Sequence, residues 1–238
     1  MRDLLVLWDV DYTLLDAGGS GGELYRAVFR DLFGRDTDEV APMGGRTERA
    51  IIAETLSMAG ISDPAQHVDA FIAELARRAP ELRAFVAAHG RALPGAAAAL
   101  AAVAALRPPV VQSVLTGNVP ATARAKLAAL GLDAHLDLEV GAYGDHHEVR
   151  AELVHLARSR ARAAYGAGFS GAATVLVGDT PLDVAAALAT GARAVGVATG
   201  GPAAADLAAA GADVVLPDLT DTCAVLTAIT GLGPGPCS

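Results

Sequence analysis

The chain has 238 residues, 53% of them hydrophobic and only 4% aromatic, which suits one domain with an insertion, or two small domains, packed on Leu, Val and Ala. Its net charge of −9 lacks the basic footprint that nucleic acid or an acidic membrane surface requires, so neither is expected as a partner. An anionic substrate stays open, because a few local cations and a metal can reverse the sign within one cleft.

In chain order, residues 4–8 read as a buried strand and 22–89 as a run of helices near 22–33, 46–59, 66–77 and 80–89. Strands are then expected at 110–115, 138–140, 174–177, 194–198 and 214–216. Helices are expected at 95–106, 119–130, 149–164, 182–190, 203–210 and 220–230. Apolar strands alternating with helices predict an α/β fold, a parallel sheet covered on both faces. The helical run interrupts that rhythm between Gly18-Gly19-Ser20-Gly21-Gly22 and Gly90-Arg91-Ala92-Leu93-Pro94-Gly95, two glycine-bearing joins that read as a hinge pair. The expected division is a core of residues 1–16 and 95–238 and a helical cap of residues 17–94. A frayed tail is expected over 231–238, which is rich in Gly and Pro.

In open α/β sheets, ligands bind outside the carboxyl ends of the strands. The first strand end carries Asp9 and Asp11, two carboxylates that repel and are costly to bury unless a cation or a proton relieves them. The second carries Thr116-Gly117-Asn118, the fourth Gly178-Asp179-Thr180-Pro181-Leu182-Asp183, and the fifth Thr199-Gly200-Gly201. Each has an ordinary structural reading: Asn118 as an N-cap before Val119-Pro120, and Thr180 to Asp183 as a helix start resembling a capping box. Gathered on one sheet edge, they read as a site.

Asp9-Val10-Asp11-Tyr12-Thr13, Thr116-Gly117-Asn118 and Gly178 to Asp183 resemble motifs I, II and IV of the haloacid dehalogenase-like hydrolases, in order and spacing. The helical insertion resembles the C1-type cap of the phosphoglycolate phosphatase-like branch. The resemblance implies a Rossmann-like parallel core, Mg²⁺ and transfer of a phosphoryl group from a small phosphorylated metabolite to water. It assigns Asp9 as nucleophile, Asp11 as acid and base, and Asp9, Asp179 and the backbone carbonyl of Asp11 as metal ligands. Thr116, with the N–H groups of Gly117 and Asn118, would hold the phosphoryl oxygens, and Asp183 would stand behind the metal or join it. Tyr12 departs from the glycine this family usually has there. The same chemistry follows from the residues: a carboxylate can attack phosphorus, a second can move the leaving-group proton, and hard oxygens suit Mg²⁺.

The family also uses a cation between motifs II and IV. Arg150 begins a helix at the catalytic edge, whereas Lys126 lies about two turns, roughly 10 Å, along its helix. Geometry favours Arg150, and Lys126 reads as a snorkelling surface residue. His146-His147 read as a solvated loop. Arg46 and Thr47, at the start of a cap helix, are candidates for substrate specificity, or simply a glycine turn entering a helix.

Asp11 argues against a dehalogenase, which needs no acid for a leaving alcohol. A phosphomutase keeps both aspartates and stays open, as does, more remotely, a non-catalytic binding protein on this scaffold. No signal peptide is expected, because the first apolar run is short and follows Asp3, and residues 95–106 are too few to span a bilayer, which takes about 20. Cys223 and Cys237 fit no metal spacing; free thiols and a cytoplasmic protein are expected. No feature sets an oligomeric state or a particular substrate.

Overall fold

The computed structural model describes residues 4–166 and 168–231. The strands are β1 (Leu5–Trp8), β2 (Leu15–Asp16), β3 (Arg91–Ala92), β4 (Val111–Thr116), β5 (Ala142–Tyr143), β6 (Thr174–Gly178), β7 (Arg193–Val197) and β8 (Val214–Leu216). The helices are α1 (Ser20–Phe33), α2 (Glu48–Met58), α3 (Val68–Arg77), α4 (Ala79–His89), α5 (Ala96–Ala104), α6 (Pro120–Ala129), α7 (Arg150–Tyr165), α8 (Pro181–Ala189), α9 (Ala204–Ala209) and α10 (Thr222–Thr230).

Six strands form one parallel sheet in the order β5-β4-β1-β6-β7-β8. β1 lies between β4 and β6, so both of its edges are paired, and with helices packed on both faces of the sheet Leu5 to Trp8 have no exposed surface. This is why its sequence is a continuous apolar run rather than an alternation. The side chains still alternate in direction. Val6 and Trp8 join Val175, Val177, Val195 and Val197 on one face, against α5, α6 and α10. Leu5 and Leu7 join Leu176 and Ala194 on the other, against α7, α8 and α9. The small alanine side chains of these helices, such as Ala96, Ala99, Ala157 and Ala187, are fully buried at the sheet. The α/β, Rossmann-like expectation holds.

The third strand lies further along the chain than the sequence reading put it. Residues 138–140 are turns, and β5 pairs Ala142 and Tyr143 with Leu115 and Thr116. The Asp137 N–H already takes the Gln112 carbonyl at 2.8 Å, and Tyr143 Oη bonds the Leu138 carbonyl at 2.7 Å. These bonds fold 137–140 away from the ladder.

Helices α1 to α4 build a separate apolar cluster around Tyr25, Phe29, Ile52, Leu56, Phe71 and Leu75, which Val119 of the sheet region also joins. Both crossings into this unit are tied by the antiparallel pair β2–β3, which the sequence reading left out. At the first crossing Gly18 has φ +68, and a Cβ there would sit 2.8 Å from the His89 carbonyl oxygen. Only glycine fits both demands. The second glycine pair of that join is already helical, since α1 starts at Ser20.

No helix among the described residues is long and apolar enough to cross a membrane. Cys223 is disulfide-bonded, which corrects the expectation of a free thiol there and removes the inference to a reducing compartment. Cys237 and the tail beyond Gly231 lie outside the described residues.

Candidate active site

Asp9 follows β1 directly, and its N–H donates to the Val177 carbonyl at 2.8 Å, so the ladder with β6 fixes where the carboxylate stands. Asp179 follows β6. Asp183 lies in the first turn of α8, where Thr180 and Asp183 form a complete capping box. The three carboxylates are 6%, 3% and 2% exposed, and one oxygen from each lies within 4.8 Å of the others.

Arg150, the first residue of α7, enters this cluster. Its Nη2 lies 2.9 Å from Asp9 Oδ1 and 2.6 Å from Asp183 Oδ1, and it donates to the Leu115 carbonyl at 3.2 Å. Both carboxylate contacts are ion pairs not aligned as hydrogen bonds, and Asp183 Oδ1 and Arg150 Nε carry no hydrogen bond among the described residues. One guanidinium does not neutralise three buried acids. Burial pushes the Asp9 carboxyl up to about 7 against the pull of Arg150, with Asp183 and Asp11 adding repulsion. Burial, Asp9 and Asp183 push Asp179 up to about 8. A cluster of hard oxygens with excess negative charge and an oxygen lacking a hydrogen bond is compatible with a divalent cation.

The Asp11 carboxylate stands apart from that cluster. Lys126 Nζ donates to its two oxygens at 2.9 and 2.7 Å and to Asn118 Oδ1 at 2.7 Å. Asn118 Nδ2 donates to Asp11 Oδ2 at 2.7 Å and to Thr116 Oγ1 at 2.8 Å. Asn118 is therefore not the N-cap of α6, a position taken by Val119. Lys126 is 7% exposed, which overturns its reading as a snorkelling surface residue. Counting helical rise placed its Cα correctly but ignored the side chain, which leans back toward the helix N-terminus and spans the gap. Arg150 and Lys126, weighed as alternatives, occupy different places, one on each carboxylate of the first motif.

Tyr12 has φ +58, in the left-handed region where glycine is at ease, and its side chain is 49% exposed at the rim. Its backbone oxygen accepts from the Thr199 hydroxyl, which brings the fifth strand end to the site.

A cavity of about 290 Å³ opens over these groups, roofed by α1, α2 and the turn before α2. The turn is pressed onto the sheet edge. The Glu48 N–H donates to the Gly117 carbonyl at 2.9 Å and the Arg49 N–H to the Gly144 carbonyl at 3.1 Å. These bonds satisfy two donors that a helix start leaves open. A Cβ on Gly117 would meet the Arg46 carbonyl oxygen at 2.0 Å.

Asp9, Asp11, Thr116, Gly117, Asn118, Arg150 and Asp179 all line this cavity, and so does Arg46. Asp183 stands just behind the wall. Thr47 does not reach it; its hydroxyl donates to the Glu148 carbonyl at 2.9 Å. His146 and His147 bond locally, to Tyr143 and Arg160 and to Val149 respectively, outside the carboxylate cluster. Sequence reasoning missed Tyr25 and Glu48, a buried pair from α1 and α2 in which Tyr25 Oη donates to Glu48 Oε2. Burial pushes the Glu48 carboxyl up to about 7, opposed by that hydrogen bond and by Lys126. A charged residue opening a helix gave no signal, because Glu in a first turn is the ordinary choice.

The parallel α/β sheet thus gathers its acidic strand ends under a helical roof. The family model of the haloacid dehalogenase-like hydrolases matches residues 6–188, and the chain belongs to that family of enzymes. Solved structures share the fold at low identity. A hydrolase of the same family from Streptococcus pneumoniae is 15% identical, with TM-score 0.63, over 94% of this chain and 98% of the other. A predicted phosphoglycolate phosphatase from Haemophilus somnus is 16% identical, with TM-score 0.65, over the same shares of 94% and 98%. A protein from Thermotoga maritima assigned as a β-phosphoglucomutase is 21% identical, with TM-score 0.60, over 94% and 98%. No curated protein matches the chain in sequence.

Proposed function

We propose that the chain is a Mg²⁺-dependent phosphatase that hydrolyses a small phosphate monoester through an aspartyl-phosphate intermediate. The observation that carries this reading is the division of labour around two carboxylates: Arg150 on Asp9 inside an acidic cluster, Lys126 and Asn118 on Asp11 outside it. A carboxylate paired with a guanidinium at a buried strand end suits a nucleophile facing an anionic phosphorus centre. Asp9 attacks phosphorus, the bond to the leaving oxygen breaks, and Asp11 gives that oxygen its proton. Asp11 then takes a proton from the water that attacks the aspartyl-phosphate, which frees Asp9 and releases phosphate.

Thr116, the N–H groups of Gly117 and Asn118, and the guanidinium of Arg150 hold the phosphoryl oxygens in this reading. Asp9 and Asp179, with the backbone of Asp11, would hold Mg²⁺, and Asp183 would support it. The ion would supply charge neutralisation at the phosphoryl oxygens. Residues 17–94 act as a cap over a core of 1–16 and 95–238. The bonds from Glu48 and Arg49 to Gly117 and Gly144 support a closed position that excludes water.

The test is a panel of phosphorylated metabolites incubated with the purified protein and Mg²⁺, reading free phosphate and isomerised product together. Phosphate release lost in Asp9→Asn, with the fold kept, is the expected result. Isomerised product without phosphate would instead make it a phosphomutase, an activity assigned to a neighbour of this fold.

A further inference from the structure

The cap side of the cavity carries a polar pair that the chemistry at Asp9 and Asp11 does not use. Glu48, the first residue of α2, is buried and lines the cavity. Tyr25, one helix earlier, is also buried and holds one Glu48 oxygen with its hydroxyl. Among the described residues the other oxygen, Oε1, has no hydrogen-bond partner, and the residue lines the cavity. Ser20 lines the same wall, and its buried hydroxyl also has no partner among the described residues. Leu24, Met43 and Ile51 make an apolar part of the roof, and Arg46, which also lines the cavity, is paired with Glu54.

We propose that Glu48, oriented by Tyr25, is the specificity-determining acceptor for a hydroxyl of the leaving group, so that the substrate is a small polyol phosphate rather than a carboxylate-bearing one. This rests on the phosphatase reading, which places the leaving group beside Asp11. A buried carboxylate with a vacant oxygen attracts a donor and repels a second carboxylate. Glu48 and Asp11 line the same cavity, and the Glu48 N–H is bonded to the carbonyl of Gly117, next to the Asn118 that holds Asp11. An ammonium donor would meet Lys126; a neutral hydroxyl would not. The cavity, about 290 Å³, is at the low end of the roughly 300–1,000 Å³ of small-molecule sites, which suits a short chain of carbons.

The experiment compares glycerol 3-phosphate, 2-phosphoglycolate, phosphoethanolamine and 4-nitrophenyl phosphate on the wild-type protein, Glu48→Gln and Tyr25→Phe with Mg²⁺. The wild type is expected to prefer glycerol 3-phosphate over the other two metabolites by about tenfold or more in kcat/KM, the scale of one hydrogen bond to a charged group. Glu48→Gln keeps the shape and should collapse the preference over 2-phosphoglycolate toward unity. Tyr25→Phe should raise KM for glycerol 3-phosphate with kcat little changed, as a positioning residue does and a merely destabilised fold does not. Turnover of the aryl phosphate with 2-phosphoglycolate or phosphoethanolamine preferred, or a preference that survives Glu48→Gln, overturns this inference alone. No turnover of any of the four overturns the phosphatase reading and this inference with it.

Discussion

Lys126 grips Asp11 with its ammonium 2.9 and 2.7 Å from the two carboxylate oxygens, while Arg150 stands 2.9 Å from Asp9. Two cations thus serve two carboxylates separated in sequence by Val10 alone. Their removal should have different consequences. Arg150→Ala leaves Asp9 and Asp183 buried together with no counter-charge, and breaking such a pair costs about 3–5 kcal/mol. The variant should lose turnover and unfold at a markedly lower urea concentration. Lys126→Met releases a carboxylate that is partly open to the cavity, so it should lose about 10–100-fold in kcat with a much smaller loss of stability. Equal stability losses in urea titrations would contradict this division.

The acidic cluster makes a prediction about pH. Asp9 and Asp179 titrate near 3.8 when unfolded and are pushed up to about 7 and about 8 in the fold. Between those values the folded state holds more protons than the unfolded state, so stability falls as pH rises. The stability these groups contribute is complete below pH 3.8 and lost as pH climbs through 7 to 8. The metal-stripped protein should therefore melt at a lower temperature at pH 8 than at pH 5, with a shallower slope in Asp179→Asn. Added Mg²⁺ competes with those protons and should raise the melting temperature more at pH 8 than at pH 5. Calorimetry in the presence and absence of chelator measures both effects, and a metal-stripped protein that gains stability toward pH 8 counts against the cluster as described.

The chain announced the Asp9 end of this site more clearly than its surroundings. Asp9 and Asp179 were legible because each directly follows an apolar strand, and parallel strands deliver their ends to one edge. Arg150 was legible for a similar reason, as the first residue of a helix at that edge. Lys126 was misread because a helix position specifies where a Cα lies, not how far four methylenes reach. Glu48 and Tyr25 come from two helices that meet only through the apolar cluster of the cap, and no spacing in the sequence records that meeting. The strand at 138–140 failed because the Gln112 carbonyl, which a neighbouring strand would have used, is taken by Asp137.

Tyr12 offers a separate test at the rim. A residue with a side chain pays about 1–2 kcal/mol in the left-handed region, and glycine gives back roughly 0.5–1 through its freer unfolded chain. Tyr12→Gly should therefore hold or slightly raise the unfolding midpoint. Because the ring lines the mouth of the cavity, the same change should alter KM for bulky phosphate esters more than for small ones. A large loss of stability would show that the exposed ring makes contacts the geometry does not reveal.

The seam between α2 and the sheet edge can be opened without touching a charged group. Gly117 faces the Arg46 carbonyl so closely that a Cβ would come to 2.0 Å from its oxygen, a separation that only movement of the backbone can relieve. Gly117→Ala should push the start of α2 away and lengthen the bond from the Glu48 N–H to the Gly117 carbonyl. Overpacking of this kind costs about 1–3 kcal/mol, but here the strain can be released by lifting the cap rather than unfolding the sheet. The expected variant keeps the circular dichroism of the wild type, exchanges the Glu48 and Arg49 amide protons faster, and loses about tenfold or more in kcat/KM as the roof over Asp11 loosens. Unchanged exchange at those two amides, with unchanged kinetics, would mean that the seam yields elsewhere and that the closed cap does not depend on it.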